Sequence, residues 1–359
     1  MEKIKLGIIG TGFTIGIAKS QIAGLSKLDD CSLAALYDIV PGRAQKYVDD
    51  MKLEAAAYDE FEPFLAAVDA VSICTPNSTH VELMEKCLAA GKHVICEKPL
   101  SDSLEEAKKT LEFEKKYPNL VSMVVFNYRE TPGVVYMKKL IDEGKLGKIF
   151  MFRYLIGGSR IGDKDAVKLE WRMQKSLSGT GALADFGCHV LDLIDYLVSP
   201  TMGKIKDIAC FCETLIKDRT PVDGGPRQAV TNDDTTVMIA TTTGGCLCSI
   251  TASRLAIPFS SIEICGEGGT LSYVPHMAGK GKLTVHLKPI NGSFSSPPQE
   301  VEIGDEYLQL AGHTGVLKEF VHCIKTGDKP VRNMEHGYYI QGLLAAFERA
   351  AASKTVLEV

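Results

Sequence analysis

The chain has 359 residues and a formal net charge of −5, with 45% hydrophobic and 24% charged residues. That length predicts about two domains of ordinary globular composition. The slight acidity leaves no footprint for nucleic acid or an anionic membrane. No apolar run approaches the roughly 20 residues that span a bilayer. The start, Met1-Glu2-Lys3-Ile4, leads straight into a strand rather than a signal peptide, which predicts a cytoplasmic protein. The 11 cysteines then read as free thiols of a reducing compartment. Cys210-x-Cys212 and Cys246-x-Cys248 fall in strand-like runs, where alternate residues share a face. Structural zinc prefers wider spacing and a matched second pair, so these read as core thiols and no metal site is predicted.

In chain order, Lys5–Gly10 is a short apolar strand ending in glycine, and Thr11-Gly12 leads into a helix opening at Phe13-Thr14-Ile15-Gly16. Gly10 makes the tight turn, and Gly12 lets the backbone approach a pyrophosphate at a helix N-terminus. Gly16 comes one residue late for the third glycine of the strict pattern. A second strand, Ser32–Tyr37, ends in Asp38, where an acid grips the adenosine ribose hydroxyls and repels a 2′-phosphate. No cation follows directly, Arg43 being several residues on, so NAD is preferred and NADP is possible. A helix cap or turn is the alternative reading of Asp38.

The alternation continues with a strand over Asp69–Thr75, the turn Thr75-Pro76-Asn77-Ser78-Thr79-His80, and a helix over Val81–Ala90 closed by Gly91. His80 reads either as a cofactor contact or as a hydrogen-bonding residue at a helix start. The apolar run His93-Val94-Ile95-Cys96 predicts a buried strand. After it, Glu97-Lys98-Pro99 lies at the carboxyl end of a sheet strand, where open α/β sheets bind ligands. Proline steers Lys98 away from helical backbone and can occupy a cis bond. Ser103 and Glu106 have capping-box spacing, predicting a helix to about Lys116, and Leu120–Phe126 is the next strand. Right-handed crossovers make this half a doubly wound parallel sheet.

After Asn127-Tyr128-Arg129 the pattern changes. A helix is predicted over Pro132–Glu143. Strands are then predicted over Lys148–Ile156, Ile205–Leu215, Thr235–Thr242, Cys246–Ser253, Ser261–Cys265, Thr270–Tyr273, Leu283–Leu287 and Val301–Ile303, a large and mostly antiparallel sheet. Gly157–Lys168 and Lys217–Val230 read as loops that border a pocket. Thr314–Lys325 and His336–Lys354 read as helices.

One helix interrupts the strands, over Ser178–Asp192, with glycines at its start. Asp185 and His189 are spaced to share one face, with Asp192 three residues further on. The carboxylate can orient or charge an imidazole whose pKa lies near working pH. An intrahelical hydrogen bond without chemistry is the alternative.

Together, Gly10-Thr11-Gly12, Thr75-Pro76-Asn77…His80, Glu97-Lys98-Pro99, Arg129, Gly179-x-Gly181…Asp185-x-x-x-His189 and the tail Phe320…Gly327-x-x-Pro330 resemble the glucose–fructose oxidoreductase / inositol dehydrogenase / rhizopine catabolism (Gfo/Idh/MocA) family over nearly the whole chain. The resemblance implies a Rossmann domain over 1–126 and an α+β domain over 127–359, whose C-terminal helix packs back on the first. It implies dimers or tetramers through the open sheet, and a sugar, inositol or other polyol held between the domains. It places the catalytic set at Lys98, Asp185 and His189. It places the cofactor contacts at Gly10, Gly12, Phe13, Thr14, Ile15, Asp38, Thr75, Pro76, Asn77, His80, Glu97, Lys98 and Arg129. Two departures stand out: the longer first glycine loop, and Thr180 where the family has a glycine.

On this reading NAD accepts a hydride, His189 takes the hydroxyl proton, and Lys98 stabilises the developing negative charge on oxygen. Asp185 orients the substrate or His189. Tyr154, Arg160, Trp171, Arg172 and Asn232 are candidates for the substrate pocket. Three other readings share the fold: an NAD-dependent glycosidase, a non-catalytic NAD-binding sensor, and a reductase of a diketone, imine or tetrapyrrole.

Overall fold

The computed structural model describes residues 3–12, 16–255, 258–276, 279–288 and 297–359. Phe13, Thr14 and Ile15, expected at the cofactor, lie outside the described residues. The chain forms two compact units. The first comprises residues 1–127, 176–179 and 312–341, and the second comprises 128–175, 180–311 and 342–359.

The first unit is built on six parallel strands: β1 (Ile4–Ile9), β2 (Cys31–Tyr37), β3 (Ala56–Tyr58), β4 (Ala70–Ile73), β5 (His93–Cys96) and β6 (Ser122–Val124). Their order is β3-β2-β1-β4-β5-β6. The order reverses between β1 and β4, and the crevice beyond the carboxyl ends at such a reversal is where nucleotides bind. Residues of β4 and β5 are buried almost without alternation, as expected of strands covered on both faces. On one face Ile8 and Leu36 pack against Ala18 of helix α1 (Ile17–Leu25) and against Ala44, Tyr47 and Val48 of α2 (Arg43–Met51). Beside them on the same face, Leu6, Ile95 and Met123 pack with Leu25 of α1 against Val316, Leu317 and Phe320 of the late helix His313–Thr326. That helix, reached only after the large sheet, supplies core to the nucleotide-type unit. Short β3 carries too little apolar pattern to be visible in the sequence.

The helix after β5 starts at Leu104, and Ser103 Oγ accepts from Glu106 N at 3.3 Å. Only this half of the expected capping box forms, because Glu106 pairs instead with Lys109 at 2.6 Å. The helix also breaks, passing through a 3₁₀ turn at Thr110–Glu112 before Phe113–Lys116.

Among the described residues, the second unit carries nine strands in one sheet. They are β7 (Ile149–Gly157), β8 (Ile205–Glu213), β11 (Thr235–Thr242), β12 (Leu247–Ser253), β13 (Phe259–Gly266), β14 (Gly269–Val274), β15 (Lys282–Leu287), β16 (Gln299–Val301) and β17 (Leu357–Glu358). The order is β16-β15-β14-β13-β7-β12-β11-β8-β17. Every pairing is antiparallel except β7 with β12. Within the expected loop after Lys217, β9 (Asp218–Arg219) and β10 (Gln228–Ala229) form a two-stranded ribbon. The expected strand at Val301–Ile303 lies earlier, at Gln299–Val301. Among the described residues, no helix is long and apolar enough to cross a membrane. No disulfide joins any of the 11 cysteines.

Candidate active site

In the first unit, Gly10 leaves β1 with φ +94°, and a Cβ there would lie 2.8 Å from Thr75 Cγ2. Its turn therefore packs against the Thr75-Pro76-Asn77 turn at the end of β4. Gly12 is different: among the described residues, nothing lies within 4 Å of a Cβ built on it. No described residue packs against that position. This is the fit expected of a backbone that a pyrophosphate approaches.

Asp38 follows β2 and is 4% exposed. Its Oδ2 accepts from Thr11 N and Thr11 Oγ1, both at 2.9 Å. Its Oδ1 accepts from Val40 N at 3.0 Å and from Arg43 Nη1 at 3.2 Å. The carboxylate thus ties the glycine turn to the start of α2. Thr11 and Arg43 were not among the expected cofactor residues.

The Thr75–His80 turn is closed by Thr79 Oγ1, which donates to Thr75 Oγ1 and Pro76 O, both at 2.7 Å. Asn77 is buried and donates from Nδ2 to Ser178 O at 2.9 Å, so this amide braces residues 176–179. His80, expected either at the cofactor or as a hydrogen-bonding residue at a helix start, is fully buried. Its Nδ1 lies 3.0 Å from Pro99 O and its Nε2 3.0 Å from Thr75 O. Burial pulls its pKa down against the opposing pull of those carbonyls and Glu97. His80 thereby ties the β4 turn to the β5 turn.

Glu97 and Lys98 sit at the carboxyl end of β5, and the Lys98–Pro99 bond is cis. Lys98 is half-buried. Glu97 is buried and also structural: its Oε1 accepts from Gln21 Nε2 at 2.7 Å and lies 3.3 Å from His313 Nε2. Burial would raise its pKa, but His313, Gln21 and the neighbouring Lys98 outweigh it and hold the carboxyl below its ordinary value. Gln21 and His313 are invisible as partners in the sequence, because α1 and the helix His313–Thr326 are almost 300 residues apart and carry no motif. Their fit depends on Gly24, where a Cβ would meet Thr314 N at 3.0 Å.

In the second unit the expected helix over Ser178–Asp192 is two pieces. Leu183–Gly187 is a π turn, and Cys188–Leu197 is α-helical. Asp185 lies within the π turn and is half-buried, while His189 lies in the first turn of the α-helix and is buried. Such π insertions are frequent at functional sites. The segment is pinned by Asp233, whose carboxylate accepts from Gly181 N at 2.6 Å and Leu183 N at 2.8 Å. Burial raises the Asp233 pKa, and the two N–H groups and Arg254 oppose it. Gly181 is required here, since a Cβ would lie 1.6 Å from Asp233 O.

Tyr128 stacks flat on His189, with ring centroids 3.8 Å apart and an interplanar angle of 2°. The next residue, Arg129, grips Asp192: Nε lies 3.0 and 2.9 Å from its two oxygens and Nη2 2.5 Å from Oδ1. Successive residues of one 3₁₀ turn, Asn127–Glu130, therefore clamp the face that carries His189 and Asp192. Arg129, expected at the cofactor, is 5% exposed and makes this buried ion pair.

The expected pocket residues divide. Tyr154 is buried on β7, where its hydroxyl accepts from Ser260 Oγ at 3.2 Å, and burial raises its pKa. Arg160 pairs with buried Glu170. The Arg172 guanidinium lies 4.0 Å over the Trp171 ring. Asn232 belongs to the scaffold: Nδ2 donates to Arg172 O at 2.8 Å, and Oδ1 accepts from Arg254 Nη2 at 2.9 Å. Asp233 and Arg254 were missed because a lone Asp in Asn232-Asp233-Asp234 carries no sign of what it caps.

Comparison with known proteins agrees with this geometry. The family model described as "Oxidoreductase family, NAD-binding Rossmann fold" matches residues 4–125, and the GFO/IDH/MocA C-terminal domain matches residues 134–272. The chain belongs to the Gfo/Idh/MocA oxidoreductases. Its amino-terminal part has the NAD-binding Rossmann fold of that oxidoreductase family. The chain is 36% identical to a levoglucosan dehydrogenase of Pseudarthrobacter phenanthrenivorans over 224 residues, 57% of this chain and 55% of that protein. The chain thus spans about half the length of that relative. It is 25% identical to a D-glucoside 3-dehydrogenase of Escherichia coli over 99% of this chain and 97% of the other. Among solved structures, a levoglucosan dehydrogenase in complex with NADH and levoglucosan superposes with a TM-score of 0.88 at 26% identity, covering 100% of this chain and 99% of that one.

Proposed function

We infer that the protein transfers a hydride between NAD and a secondary hydroxyl of a sugar, inositol or related polyol. The observation that carries this reading is His189, buried in a helix face that Tyr128, Arg129 and Asp233 hold rigid, in a chain whose other unit presents Lys98 at the carboxyl end of β5. Such preorganisation suits a proton-transfer group. The likeness to levoglucosan and glucoside dehydrogenases supports the substrate class.

Gly12, the Gly10 turn and Asp38 at the end of β2 fit a dinucleotide, with NAD the first expectation. When bound, NAD supplies the hydride acceptor. His189 accepts the proton of the reacting hydroxyl. Lys98 donates a hydrogen bond to the same oxygen and stabilises its negative charge. Asp185, in the π turn before His189, orients the substrate or the imidazole. Trp171 and Arg172 offer a stacked surface for a sugar ring.

The outward face of the large sheet leaves Phe211, Val237, Ile239 and Leu247 between 37% and 64% exposed. We assign it to self-association as a dimer or tetramer, measurable by sedimentation. Eleven thiols without a disulfide suit the cytoplasm.

The test is to incubate the protein with inositols, hexoses, their 6-phosphates and amino sugars, with NAD or NADP, and to follow nicotinamide absorbance. A rise with one polyol, lost in Lys98→Met and His189→Ala, is the expected result. Wild-type turnover in both variants would sink the assignment. Solvent deuterium entering the sugar without net NADH would point to the glycosidase.

A further inference from the structure

The acid at the end of β2 is not a bare carboxylate. An ionised carboxylate offers about four acceptor positions, and Asp38 has four donors upon it: Thr11 N, Thr11 Oγ1, Val40 N and Arg43 Nη1. Ribose hydroxyls can reach Asp38 only by displacing one of them. Three belong to the glycine turn or to the backbone after β2. The fourth, Arg43, makes the longest contact at 3.2 Å and has a side chain 37% exposed. It is the partner free to move.

Arg43 is also the first residue of α2, whose first turn holds no acid. At this helix start Asp59 accepts from Gly42 N at 2.8 Å. A charge-neutralised Asp38 beside a movable guanidinium is a different ligand surface from the bare acid that rejects a 2′-phosphate. Resting on the dinucleotide reading above, we propose that Arg43 sets cofactor choice, by competing with the ribose hydroxyls of NAD for Asp38 and by moving to the 2′-phosphate of NADP.

The two halves of this role have opposite signs. Removing Arg43 frees Asp38 for the NAD ribose, and so leaves NAD binding unchanged or tightens it. The same change strips NADP of its phosphate partner and leaves an uncompensated acid beside that phosphate. A residue that merely held the loop together would weaken both nucleotides alike.

The experiment measures Kd for NAD and NADP by calorimetry on the full-length protein, for wild type, Arg43→Ala and Arg43→Lys, with melting temperatures as a check on folding. Wild type is expected to bind NADP within about tenfold of NAD. Arg43→Ala is expected to weaken NADP by about tenfold to a hundredfold, the range of a charge-assisted hydrogen bond, without weakening NAD. Arg43→Lys should recover part of the NADP affinity, since lysine keeps the charge but loses the fork. A wild-type preference for NAD beyond about tenfold, or an equal loss of both nucleotides in Arg43→Ala, overturns the proposal. Failure of wild type to bind either nucleotide would instead overturn the dinucleotide reading on which it rests.

Discussion

Arg129 and Asp192 offer the sharpest quantitative test, because their ion pair is buried. The two side chains are 5% and 0% exposed and share three contacts of 2.5–3.0 Å. Burial alone would lower the arginine pKa, yet Asp192 outweighs it and the net shift is upward. Removing one partner leaves the other charge buried and uncompensated, which costs about 3–5 kcal/mol. Arg129→Met also loses the guanidinium lying 4.8 Å over the Tyr196 ring, worth about 0.5–1 kcal/mol or more. Replacing both charges by apolar groups of similar size removes the uncompensated charge, and such swaps are often near neutral. The double variant Arg129→Met/Asp192→Leu should therefore cost less than either single one, with a coupling energy above about 2 kcal/mol. The protein has one tryptophan, Trp171, and it belongs to the same unit as the pair. Urea unfolding followed by its fluorescence thus reports the relevant unit. Single variants within about 1 kcal/mol of wild type, or a double variant equal to the sum of the singles, would refute the argument.

Gly12→Ala should leave the melting temperature without nucleotide unchanged or slightly raised, while NAD affinity falls by about tenfold or more. Gly10→Ala, strained at φ +94° and crowded by Thr75, should lower the melting temperature outright; matching behaviour of the two would remove Gly12 from the nucleotide site. Because the Glu97 pKa is depressed in the fold, its contribution to stability is complete above its ordinary value of 4.5 and is lost as pH falls through the lower folded value. Glu97→Gln should therefore flatten the acid limb of β5 amide-exchange protection, and parallel limbs in variant and wild type would contradict this. Tyr128→Phe keeps the ring stacked on His189 and should retain turnover. Tyr128→Leu forfeits a contact worth about 0.5–1.5 kcal/mol and should lower kcat with little change in KM; equal loss in both would show that the hydroxyl, not the stack, is what matters.

Local pattern made much of this protein legible. The apolar runs at Ile4–Ile9 and His93–Cys96 announce buried parallel strands, and the glycines after the first announce a nucleotide turn, because strand burial and backbone approach impose their own residue types. The strands of the second unit show equally well through alternation, so that most of their ends shift by only a residue or two. The employment of charged side chains does not show in this way. Whether Asp38 is bare or covered by Arg43 depends on how α2 leaves its glycine turn. Whether Glu97 meets a ligand or His313 depends on a helix that follows it by more than 200 residues. As residue types, a histidine after Thr75-Pro76 and an arginine after Tyr128 do not announce that His80 bridges two carbonyls and Arg129 neutralises Asp192. Local periodicity settles which backbone forms, since it depends on neighbours along the chain. Tertiary packing decides which polar group is left to do chemistry, since a buried charge must find its partner wherever the fold happens to bring one.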